Sequence, residues 1–272
     1  MTQYTSYTYI SVEHSHQGRI ATVTLRRPEV HNAFNGQIIE ELIAAFTELA
    51  SNEQLHGVVL TGDGPSFSAG ADLSMMKSAN TFTEEQNLND ALRLADLLTI
   101  INTLPCPVVG RINGTAMGGG IGLVSVCDIA IAAESARFAF SEVKLGIAPA
   151  VISPFVLRKI GESNARVLFV TGERFSAARA REVGLIHSVV PLEHLDDAIQ
   201  KAVNELLSSA PQALRVCKTL ALTVGHMDDK TARNYTASTI ARLRVSEEGQ
   251  EGLRSFLEKR KPRWAVPPAD IK

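Results

Sequence analysis

Asn113-Gly-Thr-Ala-Met-Gly-Gly-Gly-Ile-Gly122 decides the fold, because it joins a predicted strand at 108–112 to an apolar helix that begins at the triple glycine. Glycines at such a junction let backbone N–H groups approach a ligand closely, and a helix N-terminus adds positive partial charge. A second loop of this kind, Ser66-Phe-Ser-Ala-Gly-Ala-Asp72, follows a predicted strand at 56–61. One such loop is typical of a tight turn, whereas two favour a shared site for an anion or a developing oxyanion.

Strands and helices alternate around these two loops. Alternation of this kind builds stacked β-and-α units, so the predicted fold class is α/β. After Pro154 the predicted elements are nearly all helical, and this part is expected to pack on the α/β part or on another subunit. Strands are predicted at 4–12, 19–25, 56–61, 108–112, 127–132, 137–140 and 185–190, and helices at 35–50, 83–103, 118–126, 155–160, 164–170, 177–182, 195–207, 212–223, 230–245 and 250–259.

Charge and composition exclude several classes of function. The 272 residues include 27 Lys and Arg against 29 Asp and Glu, so there is no basic field to hold a nucleic acid. The longest apolar stretch, 118–133, is interrupted by Ser125 and Asp128, and no membrane span is expected. Three scattered cysteines predict no disulfide framework. Residues 1–18 resemble neither a secretory signal nor a transit peptide, which favours a cytoplasmic protein.

Glu142 is the acidic residue best placed for chemistry. It follows the predicted strand at 137–140 and is flanked by apolar segments, where burial would raise its pKa and make it a base for proton transfer at carbon. An ordinary solvent-exposed glutamate at a strand end remains the alternative on spacing alone. The seven histidines lack metal-ligand spacing, and no GxSxG, GxxxxGK[ST] or complete dinucleotide motif occurs, so neither a metal nor a redox cofactor is expected.

Taken in order, seven motifs resemble the crotonase superfamily, also called the enoyl-CoA hydratase/isomerase family, over nearly the whole chain. The resemblance implies a ClpP/crotonase-like spiral of ββα units at 1–195 and a C-terminal helical region at 196–272 for trimerisation and active-site capping. It also implies a homotrimer or a hexamer built as a dimer of trimers. The substrate would be an acyl-CoA thioester, with CoA as part of the substrate and no separate cofactor. The motifs are Arg27-Pro28, His31-Asn-Ala-Phe34, Phe67-Ser-Ala-Gly-Ala-Asp72, Asn113-Gly-Thr-Ala-Met-Gly-Gly-Gly120, Cys127-Asp128, Ser141-Glu-Val-Lys-Leu-Gly146 and Glu251-Gly-Leu-Arg-Ser-Phe-Leu-Glu-Lys259.

The resemblance assigns roles to individual residues. The backbone N–H groups of Ala69 and Gly119 would form the oxyanion hole for the thioester carbonyl, and Glu142 would move the proton. Further positions match residues that bind the CoA ester, two of them by reaching a neighbouring subunit's CoA. The positions in this chain are Arg27, Ala71, Asp72, Leu73 and Gly118, and for the neighbouring subunit Phe256 and Lys259.

The chain departs from the two-glutamate hydratases, because Gly122 stands where the first glutamate would be and only Glu142 remains. The loop at 145–155 resembles bacterial hydratases of methylglutaconyl-CoA and related carboxy-enoyl-CoA esters. The expected function is therefore a lyase that reversibly hydrates a β-branched enoyl-CoA such as 3-methylglutaconyl-CoA, with the substrate carboxylate or Ser141 helping to place the water. An enoyl-CoA double-bond isomerase and a non-catalytic acyl-CoA-binding homologue are the alternatives.

Overall fold

The computed structural model describes residues 7–72, 75, 77 and 81–265. Ten strands and nine α-helices lie within these ranges. The strands are β1 Ile10–Ser15, β2 Ile20–Leu25, β3 Gly57–Gly62, β4 Ser66–Ser68, β5 Val108–Ile112, β6 Thr115–Met117, β7 Ile129–Ala133, β8 Arg137–Ala139, β9 Arg174–Ser176 and β10 Ser188–Val190. The helices are α1 Gly36–Ala50, α2 Glu84–Asn102, α3 Gly119–Ser125, α4 Ser153–Thr171, α5 Ala177–Glu182, α6 Leu195–Ser208, α7 Pro211–Thr223, α8 Asp229–Val245 and α9 Glu247–Leu257.

The strands form two sheets, and the chain alternates between them. The large sheet has the order β1-β2-β3-β5-β7-β10 and the small sheet has the order β4-β6-β8-β9. Only the β1–β2 and β8–β9 pairs are antiparallel. Three times in succession, one strand of the large sheet leads to one strand of the small sheet and then to a helix: β3-β4-α2, β5-β6-α3 and β7-β8-α4. The predicted α/β spiral of ββα units is confirmed.

The large sheet is buried on both faces. Every residue of β3 is buried, as its uninterrupted apolar sequence predicts. Val58 and Leu60 face the main core with α1 and α2, whereas Val59 on the opposite face packs with Ile199 and Val203 of α6. Helix α6 therefore covers the large sheet, although it lies beyond the predicted boundary at 195/196. That boundary itself remains a prediction.

Local sequence signals set the starts of the helices that surround the site. The Asn35 side chain accepts a hydrogen bond from the Ile38 N–H at 2.9 Å, which caps α1 as predicted. Thr83 and Gln86 form a reciprocal capping box at the start of α2. Helix α4 spans both helices predicted at 155–160 and 164–170, with a break at Gly161, where φ is +70°.

Polar contacts anchor helix α7, the first of the last three helices, to the α/β part. The buried Lys218 ammonium of α7 lies 2.7 Å from an Asp128 carboxylate oxygen and donates to the Cys106 carbonyl at 3.2 Å. Helices α8 and α9 also expose large apolar side chains to solvent. These side chains are Ile240, Val245, Leu253, Phe256 and Leu257.

Candidate active site

The two glycine-rich loops meet at one edge of the small sheet. Strands β4 and β6 are parallel neighbours, so the loops that follow them leave the sheet side by side. Gly70, with φ of +83°, is packed so closely that a Cβ there would lie 2.8 Å from the Met117 carbonyl oxygen and 3.3 Å from the Gly119 nitrogen. Only glycine tolerates both this conformation and this contact.

The structure corrects one of the expected oxyanion donors. The Ala69 N–H donates to the His31 carbonyl at 2.9 Å, so it is already engaged within the protein. The prediction that the Ala69 N–H is an oxyanion donor is therefore wrong. Ala69 still lines the cavity described below.

Ala71, two residues further on, has the free donor. Phe34 pairs with this loop by donating its N–H to the Gly70 carbonyl and accepting from the Asp72 N–H at 2.8 Å. Because backbone groups alternate in direction along an extended segment, the Ala71 N–H faces away from Phe34. Within the described ranges neither Ala71 nor Gly119 donates its N–H to a protein acceptor, and both residues line the same cavity. This arrangement provides a pair of backbone donors for a carbonyl oxygen.

Glu142 brings a carboxyl group beside these donors. It lies in the 3₁₀ turn Ser141–Leu145, directly after β8, and its Oε1 would be 3.0 Å from a Cβ at Gly118. Its Oε2 is buried and has no hydrogen-bond partner among the described residues. Burial raises the pKa of this carboxyl above its ordinary value, and its own backbone opposes the shift only in part. Glu142 thus holds a proton at higher pH than an exposed glutamate does.

The cavity that contains these groups has a volume of about 640 Å³, which fits a small-molecule acyl group. Its walls are mostly apolar. Among the described lining residues, none is basic, and the polar side chains are those of Asn87, Asp90, Ser141 and Glu142. The apolar residues include Phe34, Ile39, Met75, Leu94, Leu145, Ile147 and Ile152.

The position of the missing glutamate is filled rather than empty. Gly122 is fully buried in α3, and a Cβ there would lie 2.6 Å from Cγ2 of Ile152 and 3.3 Å from Cδ1 of Leu98. No side chain longer than glycine fits without movement of these neighbours. The protein therefore cannot supply a second acid from this helix position.

The CoA-binding residues expected from the resemblance divide into two groups. Ala71 and Gly118 line the cavity. Arg27 and Asp72 instead form a buried ion pair at 2.9 Å, and the Arg27 guanidinium also donates to the Ala33 carbonyl at 2.6 Å. This pair holds the Ala71 loop against the segment before α1. Leu73 lies outside the described residues.

The two residues expected to reach a neighbouring subunit lie near the C-terminus, away from the cavity of their own chain. The Phe256 side chain at the end of α9 is 82% exposed, and Lys259 just beyond it is also exposed. Neither residue belongs to the cavity lining. Their expected roles therefore remain predictions that depend on a second copy of the chain.

Two features of the site were not predicted from the sequence: that one face of α2 lines the cavity, and that Ile152 packs against Gly122. The spacing of Asn87, Asp90, Ala91 and Leu94 is that of one helix face, but nothing local indicates that this face lines a cavity. In the described part of the chain, no three His, Cys, Asp or Glu side chains gather as metal ligands. No helix in that part is long and apolar enough to cross a membrane.

Comparisons with known proteins show the family of this chain. An enoyl-CoA hydratase from Shewanella pealeana is 42% identical, and its crystal structure superposes with a TM-score of 0.90 over 94% of this chain and 96% of that one. An enoyl-CoA hydratase from Mycobacterium smegmatis is 32% identical, with a TM-score of 0.90 over 95% of this chain and 100% of that one. The short-chain-enoyl-CoA hydratase of Clostridium acetobutylicum is 32% identical over 90% of this chain and 94% of its own length. The family model for enoyl-CoA hydratase/isomerase matches residues 15–267, and the chain belongs to this family.

Proposed function

We propose that the protein is an enoyl-CoA hydratase, a lyase that reversibly adds water across a double bond conjugated with a thioester. One observation carries the proposal. The half-buried carboxyl group of Glu142, whose Oε2 is buried and unpaired, shares one cavity with the two free backbone donors of Ala71 and Gly119. Proton transfer to carbon and stabilisation of an enolate require these two components together.

The reaction follows from their positions. The thioester carbonyl oxygen accepts hydrogen bonds from the Ala71 and Gly119 N–H groups, which stabilise the negative charge of the enolate that forms. Such preorganised donors contribute about 3 kcal/mol each to the transition state. The water oxygen bonds to the β-carbon, and Glu142 delivers a proton to the α-carbon. In the dehydration direction Glu142 removes that proton as a base.

The preferred substrate in this proposal is 3-methylglutaconyl-CoA or a related β-branched carboxy-enoyl-CoA. Support comes from the resemblance of the loop at 145–155 and from the absence of the first glutamate, whose position is Gly122 here, since the resembled group of hydratases also lacks it. In the described part of the lining, the Ser141 hydroxyl is a side-chain hydrogen-bond donor for a substrate carboxylate. No cofactor beyond the CoA of the substrate is proposed.

The proposed active form is a homotrimer or a dimer of trimers. Phe256 and Lys259 would complete the CoA site of a neighbouring subunit, since both are exposed and lie away from the cavity of their own chain. The exposed apolar side chains of α8 and α9 supply a surface for that contact.

A second candidate function is double-bond isomerisation. It is favoured by the packing of Ile152 on Gly122, which leaves Glu142 as the carboxyl group beside the oxyanion donors. One carboxyl can carry a proton from one carbon of the acyl chain to another without adding water. The third alternative, a non-catalytic acyl-CoA-binding protein, is disfavoured by the buried Glu142 carboxyl with its raised pKa.

The deciding experiment is incubation of the purified protein with 3-methylglutaconyl-CoA, crotonyl-CoA and a 3-enoyl-CoA. Absorbance of the conjugated thioester is followed, and products are identified by mass. Fastest addition of water to 3-methylglutaconyl-CoA would support the full proposal. Preference for crotonyl-CoA would retain the hydratase and reject the carboxylated substrate. Conjugation gained from the 3-enoyl ester at unchanged mass, without water addition to either other ester, would identify an isomerase.

A further inference from the structure

One face of helix α2 forms a wall of the active-site cavity. Asn87, Asp90, Ala91 and Leu94 lie at helical spacing and all line the cavity. One turn further along the same face, Leu98 packs at the position where a Gly122 side chain would be. The face is thus apolar at its inner end and polar at its outer end. Helix α2 thus packs Leu98 at the Gly122 position and also places a carboxylate in the cavity wall.

That carboxylate belongs to Asp90 and is not used elsewhere in the fold. Its side chain is half-buried, and it makes no ion pair or side-chain hydrogen bond with any residue that the structure describes. The nearest cation along the helix, Arg93, pairs with Glu40 instead. Because Asp90 is half-buried in the cavity wall and has no protein partner among the described residues, its carboxylate is available to a water molecule or a ligand in the cavity.

Chemistry distinguishes Asp90 from the other polar groups of the lining. Ser141 and Asn87 can hydrogen-bond to water, but neither takes up a proton at neutral pH. Only Glu142 and Asp90 can accept protons among the described lining residues. Addition of water to an enoyl thioester requires one group to protonate the α-carbon and another to take the proton that the water loses.

We propose that Asp90 is the second acid group of this active site and that it binds and deprotonates the water that adds to the β-carbon. This inference rests on the proposed hydratase function. The water oxygen forms its bond to the β-carbon, the π electrons move to the thioester oxygen, and one water proton passes to Asp90. The enolate then collapses as the Glu142 proton bonds to the α-carbon. Exchange with solvent returns a proton to Glu142 and removes one from Asp90.

Because Glu142 and Asp90 have different roles in this proposal, two activities can be measured separately. Exchange of the α-protons of a saturated ester such as butyryl-CoA with deuterium oxide requires Glu142 and the oxyanion donors, but no attacking water. Hydration of an enoyl-CoA requires Asp90 as well. A merely structural role for Asp90 would affect both activities together.

The test compares Asp90→Asn, Asp90→Glu and Asp96→Asn in the full chain. Asp96 is an exposed aspartate on the same helix and is outside the cavity, so it is the matched control. For Asp90→Asn we expect kcat for hydration of the best enoyl-CoA to fall about 100-fold, with KM changed by less than about threefold and deuterium exchange retained. Asp90→Glu should recover part of kcat, and Asp96→Asn should match the unsubstituted protein.

Three results would overturn the inference. Normal hydration by Asp90→Asn would show that the water is held elsewhere. A rise in KM at unchanged kcat would assign Asp90 to acyl binding. Equal losses of hydration and exchange would assign it to folding. If the unsubstituted protein isomerises 3-enoyl esters but adds water to none, the proposed function fails too, and this outcome is distinct from the other three.

Discussion

Replacing Gly122 with glutamate restores an acid at the position where the two-glutamate hydratases carry one, yet we expect Gly122→Glu to lower activity. The new Cβ would lie 2.6 Å from Cγ2 of Ile152 and 3.3 Å from Cδ1 of Leu98. Overpacking of this kind costs about 1–3 kcal/mol. Burial of an unpaired carboxyl adds several more, so the total is about 5 kcal/mol, close to the whole stability of a marginal domain.

The assay measures the free energy of unfolding in urea at fixed protein concentration, together with hydratase turnover. Gly122→Ala reports the cost of the Cβ alone, which we expect to be about 1–3 kcal/mol. Combining Gly122→Ala with Ile152→Ala should cost less than the sum of the two single changes, because the alanine methyl then occupies space that Ile152 leaves. An unchanged unfolding free energy with a higher kcat in Gly122→Glu would refute the reasoning.

Three further substitutions test other parts of the structure. Glu142→Gln should cut turnover by orders of magnitude while CoA-ester binding persists. It should also raise the unfolding free energy at pH 7, because the raised pKa of the folded-state carboxyl disfavours the folded protein where the unfolded carboxyl is ionised. This gain should disappear towards about pH 4, where the unfolded carboxyl is protonated too. An unchanged pH dependence of stability would contradict this expectation. Phe256→Asp should reduce the mass seen in sedimentation, and an unchanged mass would remove Phe256 from the subunit contact. Lys218→Met, which removes the cation paired with Asp128, should cost about 3 kcal/mol in urea unfolding, and a change below about 1 kcal/mol would show that the pair does not anchor α7.

The parts of the fold that sequence reasoning predicted are those with local causes. The cap of α1 at Asn35 depends on residues within one helical turn, so the pattern and the structure agree. The helix predicted at 83–103 likewise follows from a local apolar stripe, and α2 spans Glu84–Asn102. The buried strand β3 was likewise visible as a continuous apolar run between turn residues. The glycine pattern also identified both loops of the cavity.

The parts that were missed depend on contacts between distant segments. Strands β4, β6 and β9 have three residues each, too few to show a period of two. Choosing between the Ala69 and Ala71 donors needs contacts with the distant segment 31–34, because the His31 carbonyl accepts the Ala69 N–H, whereas the Ala71 N–H faces away from Phe34. The packing of Ile152 against Gly122 joins residues thirty positions apart, and no local sequence pattern predicts it.

The free donors of Ala71 and Gly119 belong to the main chain, and this has an evolutionary consequence. A point mutation exchanges side chains, but apart from proline no substitution removes a backbone N–H. In the proposed function, binding of the thioester carbonyl is therefore inherited with the fold, whereas the acids Glu142 and Asp90 can each be lost by a single codon change. Descendants of such a gene can exchange one reaction of an acyl-CoA for another without first losing the ability to bind it.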